Sequence, residues 1–270
     1  MDHQSAISYG NDYTNSGPYN TYGLADYILL HETAHEWWGN SVTAKTSRHN
    51  WIHEGFATYA EVLFIERHYG YKRSLQYLEN QRKQIRNFKA LTGPITSNWR
   101  NWRDNDDYMK GCWILHTLRN TIQDDPVFFR ILKTFATENR HKLVTSQTFS
   151  SLVNRMTGEN YDWFFDQMLN QSTPPELQYY FEDGKLWYRW TNCRLDFNMP
   201  YTFKVGTSNV RVFPSTNIEQ LEVFEVPRVF PDEDAFFAKV QWFPFLKDLS
   251  LTMGDNSAPA NSVKLPGLRK

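Results

Sequence analysis

The residues best suited to chemistry lie in one short segment, His31-Glu32-Thr33-Ala34-His35. On an α-helix, residues four positions apart lie on one face, so the two imidazoles can bind the same zinc ion. The side chain of Glu32 lies beside that face, where it can take a proton from a metal-bound water. The spacing indicates a zinc-dependent hydrolytic site, although a motif of five residues with two free positions also matches by chance in unrelated chains.

A catalytic zinc needs a third protein ligand, and Glu54 is the candidate. It follows His35 by 19 residues, within the segment WIHEGFATYAE. The pattern of that segment predicts the first turns of the next helix. Two imidazoles and one carboxylate leave a fourth position for water, so we expect one Zn²⁺ per chain as the cofactor.

The segments HETAHEWWGN and WIHEGFATYAE, which contain these candidate ligands, closely resemble the paired signature of the M1 family of zinc metallopeptidases. This is the group of aminopeptidase N and leukotriene A4 hydrolase, and the 18 residues between His35 and Glu54 match its spacing. The resemblance implies that zinc is bound by His31, His35 and Glu54. It also implies that Glu32 activates the zinc-bound water and that the protein is an aminopeptidase, which removes N-terminal residues from peptides.

Two more residues match the family pattern. Tyr108, in Tyr-Met-Lys-Gly, resembles the tyrosine of the family's Tyr-x-Lys-Gly segment, which donates a hydrogen bond to the oxyanion; the alternative is a tyrosine packed at a helix start. A phenol near the zinc would supply a neutral donor to developing charge. Glu61, seven residues after Glu54, resembles the carboxylate that orients a zinc-bound histidine, and the alternative is a solvated helix charge.

The opening segment MDHQS departs from the family pattern. It resembles Met-Glu-His-Gln-Ser, a variant of the family's amine-binding motif, with Asp2 in place of the glutamate that binds the substrate's α-amino group. The shorter side chain predicts weaker aminopeptidase activity or an altered substrate preference. The family's saddle domain and first catalytic sheet would precede this segment, so we expect a truncated chain. A second hypothesis stays open, in which the chain is a non-catalytic or impaired zinc-binding domain with an interaction role.

The hydrophobic pattern changes near Pro174. This change divides the secondary-structure elements, some of which must position the candidate residues, into two groups. Before it, helical periodicity predicts six helices, with Asp125 as the N-cap of the fourth: Leu24–Trp38, Trp51–Tyr69, Tyr108–Gln123, Pro126–Thr137, Ser146–Met156 and Asp162–Asn170. After it, alternation predicts a hairpin turning at Asp183-Gly184 and further strands: Leu177–Glu182, Lys185–Trp190, Tyr201–Val205, Val210–Phe213, Leu221–Val226 and Phe236–Phe243.

We therefore expect an α+β protein with three parts. Residues 1–173 form a mainly helical domain, which the resemblance identifies as a thermolysin-like zinc peptidase catalytic domain lacking its N-terminal part. Residues 174–253 form a small β-sandwich, and residues 254–270 form a tail.

Composition excludes several classes of protein. The chain has 270 residues with 29 Lys and Arg against 30 Asp and Glu, so it lacks the positive surplus that nucleic-acid binding needs. Its 16% aromatic content is typical of a folded globular protein, and it has no apolar run long enough to span a membrane. Cys112 and Cys193 are expected to be two separate buried thiols. Peptides are the expected substrates, while the oligomeric state stays open and the compartment is either the cytoplasm or the periplasm and cell exterior.

Overall fold

The computed structural model describes residues 4–7, 9, 26–93, 104–223, 228–252 and 261–262. The chain divides into two compact units, Met1–Ser172 and Thr173–Lys270, which we call the helical unit and the strand unit. Within the described residues, none of the helices combines the length and the apolar character needed to cross a membrane. The helices and sheets confirm the expected α+β class.

Seven α-helices and two short strands form the described part of the helical unit. The strands β1 (Val42–Ala44) and β2 (Lys142–Val144) pair in parallel, and a single 3₁₀ turn spans Ser47–His49. The helices are α1 (Tyr27–Ala34), α2 (Trp51–Tyr69), α3 (Tyr71–Arg82), α4 (Asp106–Ile122), α5 (Asp125–Glu138), α6 (Ser146–Thr157) and α7 (Asp162–Asn170).

Helices α2 and α4 cross at two glycines. A Cβ atom added to Gly55 would lie 2.8 Å from the Cα and carbonyl carbon of Gly111, so only glycine allows this approach. Close to the crossing, the side-chain amide of Asn50, just before α2, donates to the carboxylate of Asp107 at 3.3 Å. The first turns of α2 and α4 are therefore held against each other.

An aromatic cluster fills the space between α2, α5 and α6. The ring of Phe56 lies 5.6 Å from that of Trp51, 5.7 Å from Phe135 and 5.1 Å from Phe149, measured between centroids. The indole nitrogen of Trp51 also donates to the hydroxyl of Ser146 at 2.8 Å. Because Trp51 and Phe56 flank Glu54 in α2, this core fixes the helix segment that carries the third candidate ligand.

The strand unit contains a five-stranded sheet in the order β10-β7-β4-β3-β9 and a three-stranded sheet in the order β6-β5-β8, within the described residues. A short helix, α8 (Leu246–Thr252), follows β9. The strands are β3 (Glu176–Glu182), β4 (Lys185–Thr191), β5 (Tyr201–Val205), β6 (Ser208–Val212), β7 (Glu219–Glu222), β8 (Val229–Pro231), β9 (Lys239–Trp242) and β10 (Asn261–Ser262).

The hairpin of β3 and β4 turns where the sequence predicts. Asp183 and Gly184 both have positive φ angles, +47° and +74°, as a tight turn that follows the sheet twist requires. The indole ring of Trp190, on β4, lies 5.3 Å from Phe197 and 5.9 Å from Tyr201 on β5. Side chains of the two sheets thus form one aromatic core.

Several boundaries differ from the predictions. The first predicted helix is shorter, spanning Tyr27–Ala34, and the N-cap of α5 is Asp124, whose carboxylate accepts from the Val127 N–H at 2.9 Å, with Asp125 inside the helix. Helix α3 was not predicted because its buried stripe includes the polar residues Ser74 and Gln81. β1, β2 and β8 have three residues each, too few to leave an alternating pattern. Within the predicted tail, Asn261–Ser262 pairs with β7.

Candidate active site and metal centre

The candidate ligands His31, His35 and Glu54 lie together in the helical unit. Their ligand atoms all lie within 4.8 Å of one another. The Oε2 atom of Glu54 lies 3.2 Å from the Nε2 of His31 and 3.5 Å from the Nε2 of His35. Two ligands placed tetrahedrally around zinc at their usual bond lengths are about 3.3 Å apart. The two measured separations therefore fit a zinc ion between the three side chains.

The last turn of α1 and the first turn of α2 position these ligands. The carboxylate of Asp26 caps α1 by accepting from the Leu29 N–H at 3.2 Å. His31 lies in the second half of that helix, and His35 is its C-cap residue, whose N–H donates to the His31 carbonyl. Because the chain is still helical at His35, both imidazoles lie on one face, as the spacing requires.

Each histidine makes a second hydrogen bond through its other ring nitrogen. His31 Nδ1 lies 2.8 Å from Oε1 of Glu61, and His35 Nδ1 lies 2.8 Å from the backbone carbonyl of Trp38. Both acceptors receive a hydrogen bond from Nδ1–H, which orients each ring with Nε2 towards the ligand cluster, where a metal ion would replace any proton on that nitrogen. Glu61 thus lies where it can orient the ring of His31.

The carboxylates around His31 give the site a strong preference for positive charge. Burial lowers the pKa of His31, but the hydrogen bonds and charges of Glu54 and Glu61 outweigh burial and raise the pKa to about 10. Burial raises the pKa of Glu54, and its contacts with His31 and His35 outweigh this effect and hold the pKa well below its usual range. The same preference for positive charge favours a bound cation.

The sequence did not point to Tyr77, which lies in α3. Its hydroxyl donates to Oε2 of Glu61, the oxygen that does not contact His31. Burial and the charge of Glu61 hold the pKa of Tyr77 well above its usual range, so the hydroxyl keeps its proton. No local motif marks Tyr77, because only the packing of α3 on α2 brings it to Glu61.

The two candidate catalytic residues adjoin the ligands, Glu32 along the chain and Tyr108 in space. Glu32 follows His31 in α1 and is half-buried. Tyr108 lies in the first turn of α4, and its ring stacks on that of His31 with centroids 5.6 Å apart and planes at 23°. The structure thus brings Tyr108 to the metal ligands from a segment more than fifty residues beyond Glu54.

The neighbours of Tyr108 in its Tyr-x-Lys-Gly segment anchor α4. Lys110 is buried and its ammonium group donates to the carbonyls of Gln171 and Ser172, at 3.0 and 2.8 Å. Gly111 makes the close contact with Gly55. Both contacts fix the position along α4 from which Tyr108 reaches His31.

The remaining residues to place are Asp2, the two cysteines and His53, which adjoins Glu54 in the sequence. Asp2 lies outside the described residues. His53 accepts a hydrogen bond from the Ala44 N–H at 2.7 Å and so ties β1 to α2. Cys112 is fully buried, and burial raises the pKa of its thiol well above the usual range, so it is a packed thiol. Cys193 is also a free thiol, but it is only partly buried, so the expectation that both thiols are buried is wrong for Cys193.

Comparisons with known proteins identify relatives of this chain. The family model described as Peptidase family M1 domain matches residues 14–168. Leucine aminopeptidase 2 of Candida glabrata is 28% identical over 174 residues, and the match covers 56% of this chain and 26% of that protein. Leukotriene A-4 hydrolase of Xenopus laevis is 26% identical over 153 residues, covering 52% of this chain and 24% of that protein.

A solved structure resembles a larger part of the chain. Aminopeptidase A of Legionella pneumophila, crystallised in complex with aspartic acid, matches with a TM-score of 0.64 and 18% identity, covering 86% of this chain and 28% of that chain. At this identity the likeness shows the fold alone. The chain spans about a quarter of the length of these relatives.

The match to the family model covers more than half of the chain and includes His31, His35 and Glu54. Their two imidazoles and one carboxylate form the donor set of a catalytic zinc site. The chain therefore belongs to peptidase family M1, and Zn²⁺ is the cofactor that this family and this donor set imply.

Proposed function

We propose that the chain carries the catalytic centre of a zinc aminopeptidase, which removes N-terminal residues from peptides. One observation supports this most directly. The candidate ligands His31, His35 and Glu54 converge within 4.8 Å, Tyr108 stacks on His31, and Glu32 follows His31 in α1. This combines a metal site, a base and a hydrogen-bond donor, which are the groups that peptide hydrolysis by water requires.

The metal and its ligands have a defined part in this proposal. When bound, Zn²⁺ acts as a Lewis acid that polarises the scissile carbonyl and lowers the pKa of water. His31, His35 and Glu54 hold it, while Glu61 and the Trp38 carbonyl keep the two imidazoles in the required orientation.

Glu32 is the proposed general base and acid. Its carboxylate accepts a proton from the attacking water and then delivers that proton to the nitrogen of the leaving amine. The amine nitrogen is a poor leaving group until it is protonated, so the delivery allows the C–N bond to break. The position of Glu32 beside His31 in α1 supports this role.

Tyr108 is the proposed donor to the oxyanion that develops on the scissile carbonyl. Its phenolic O–H is an uncharged donor. Its hydrogen bond to the carbonyl oxygen therefore becomes stronger as negative charge develops on that oxygen in the transition state. The stacking of Tyr108 on His31 supports this role, because the contact holds the phenol next to the metal ligands.

The free amino group of a peptide is the proposed determinant of specificity. Two of the similar proteins are named as aminopeptidases, which supports N-terminal residues as the substrates. The carboxylate of Asp2 is the proposed partner of the substrate's α-amino group.

The test compares free and blocked substrates on the zinc-loaded chain. Aminoacyl-p-nitroanilides and their N-acetylated forms are offered, with and without prior removal of zinc by a chelator. Zinc-dependent cleavage of only the free-amine substrates supports the proposal, whereas cleavage of the blocked forms indicates an endopeptidase. Zinc binding without cleavage of either form favours a non-catalytic zinc-binding domain.

A further inference from the structure

Three side chains from three helices form a continuous hydrogen-bonded chain that ends at the metal ligands. Tyr77 of α3 donates to Oε2 of Glu61 in α2, and Oε1 of Glu61 accepts from Nδ1 of His31 in α1. Tyr77 is 4% exposed and Glu61 is 3% exposed. The link between Tyr77 and Glu61 is therefore shielded from water, and the link between Glu61 and His31 is partly shielded.

The burial of Glu61 makes the contact with Tyr77 consequential. A buried carboxylate costs free energy unless its oxygens are hydrogen-bonded, because it has lost its hydration. His31 bonds one oxygen and Tyr77 bonds the other, so the two contacts together fix the rotation of the carboxylate. The hydroxyl of Tyr77 donates to Oε2 of Glu61, so Oε1 stays available to accept the hydrogen bond from Nδ1 of His31.

We infer that Tyr77 is a positioning residue for the metal site, which acts through Glu61 to hold His31 with its Nε2 lone pair directed at the metal. The inference rests on the proposed zinc site and deepens it. Helix α3 contributes none of the candidate ligands, but through Tyr77 and Glu61 it would affect the affinity for zinc.

The alternative role for Tyr77 is packing alone, and Tyr59 provides a matched control. Tyr59 is a fully buried tyrosine of α2 whose hydroxyl lies beside Arg119 instead of Glu61. Tyr59→Phe and Tyr77→Phe each remove one buried hydroxyl from the helical unit and keep the ring. A difference between them in zinc affinity therefore reports the contact with Glu61.

The experiment measures zinc affinity by competition with a chromogenic chelator, without reference to activity. Tyr77→Phe is expected to weaken zinc binding roughly 10- to 100-fold, as is usual when the partner of a ligand histidine is disturbed. Tyr59→Phe is expected to bind zinc like the unaltered chain. Equal affinity of Tyr77→Phe and the unaltered chain would overturn the inference.

A double-mutant cycle separates positioning from packing. If Tyr77 acts through Glu61, Tyr77→Phe has little further effect on zinc affinity in a chain that already carries Glu61→Leu, because leucine accepts no hydrogen bond from either Tyr77 or His31. An undiminished effect in that background assigns Tyr77 to packing and overturns the inference. Circular dichroism first establishes that each variant is folded, in concentrated sucrose if necessary, and a Tyr77→Phe chain that stays unfolded there also assigns Tyr77 to packing.

The unaltered chain distinguishes the two proposals. If it binds zinc tightly and Tyr77→Phe does so equally well, only the role of Tyr77 fails. If the unaltered chain binds no zinc, the metal site of the proposed function fails, and the role of Tyr77 fails with it.

Discussion

The helical unit and the strand unit bury different kinds of side chain. Among the described residues, every buried charged residue lies in the helical unit, and so does every buried histidine, glutamine, serine and threonine. They include His35, Glu54 and Glu61 of the candidate site, as well as Lys110 and Arg119. The buried residues described in the strand unit are aliphatic or aromatic, are prolines, or are the methionine Met199.

The two units thus differ in whether their interiors contain charged side chains. Apolar burial stabilises a fold at no electrostatic cost, whereas a buried charge costs free energy unless partners compensate it. Arg119, for example, forms paired hydrogen bonds to both Glu66 and Asp125, at 2.6 to 2.9 Å. Among the described residues, the helical unit buries charged groups both at the candidate site and elsewhere, and the strand unit buries none.

The largest expected effect concerns the chemistry of the helical unit. Glu32→Gln keeps the size of the side chain but removes its ability to accept a proton, so kcat should fall by about 10²- to 10⁴-fold. Zinc affinity should stay nearly unchanged, because Glu32 is not a candidate ligand. Steady-state kinetics with an aminoacyl-p-nitroanilide and chelator competition measure the two quantities. Full turnover by the variant would remove Glu32 as the base.

A change in the core of the strand unit should affect stability alone. Trp190 is fully buried and its indole N–H donates to the Met199 carbonyl at 2.8 Å. Trp190→Ala should lower the free energy of unfolding by about 3–5 kcal/mol, through lost burial and the cavity left behind. Urea denaturation measures this loss, and chelator competition under folding conditions should give an unaltered zinc affinity. A parallel loss of zinc affinity would contradict the separation of the two units.

The glycine crossing should affect both stability and the site. The Cβ atom of Gly55→Ala would meet the backbone of Gly111, which cannot rotate away, so α2 and α4 must move apart. We expect a loss of about 1–3 kcal/mol in the free energy of unfolding, together with weaker zinc binding because Glu54 adjoins the contact.

Gly70→Ala is the matched control for this crossing. Its φ angle of +86° strains the variant backbone, but an added Cβ has nothing within 4 Å. It should destabilise the chain without changing zinc affinity. Weaker zinc binding in both glycine variants would show that lost stability, rather than the crossing, disturbs the site.

The smallest effect is expected at an exposed polar contact of the helical unit. Asp124→Ala removes the N-cap of α5 and should lower the free energy of unfolding by about 1 kcal/mol, without changing zinc affinity. Asp124→Asn retains an oxygen acceptor and should restore most of the loss. Thermal unfolding of the two variants measures both effects. A change of zinc affinity in Asp124→Ala would show that polar contacts of this unit act on the site regardless of their location.

Features encoded by local spacing could be predicted from the sequence. Helix α2 begins and ends at the predicted residues, Trp51 and Tyr69, and the β3–β4 hairpin turns at the predicted Asp183-Gly184. The convergence of His31 and His35 follows from helix geometry alone. These features depend on neighbours within a few residues, whose pattern is visible in one chain.

Features that depend on packing between distant segments could not be predicted. The residues that α3 buries at helical spacing are Ser74, Tyr77, Leu78 and Gln81. Because Ser74 and Gln81 are polar, the hydrophobic pattern that would indicate a buried helix face is interrupted. The contact of Tyr77 with Glu61 exists only because α3 packs on α2. Likewise, Gly55 and Gly111 lie in distant segments, and the sequence around these glycines does not indicate that they are in contact.

Helix α1 has a consequence for how the site and the fold support each other. Of its eight residues, only Ala34 is buried, so the hydrophobic effect holds this helix weakly. The attachment of α1 to α2 therefore depends on the contacts of His31 and His35 with Glu54 and Glu61. A cation shared by these residues would join two helices across the loop between them, and amide hydrogen exchange in α1 would then slow as zinc binds. Zinc binding and the ordering of α1 would then be coupled.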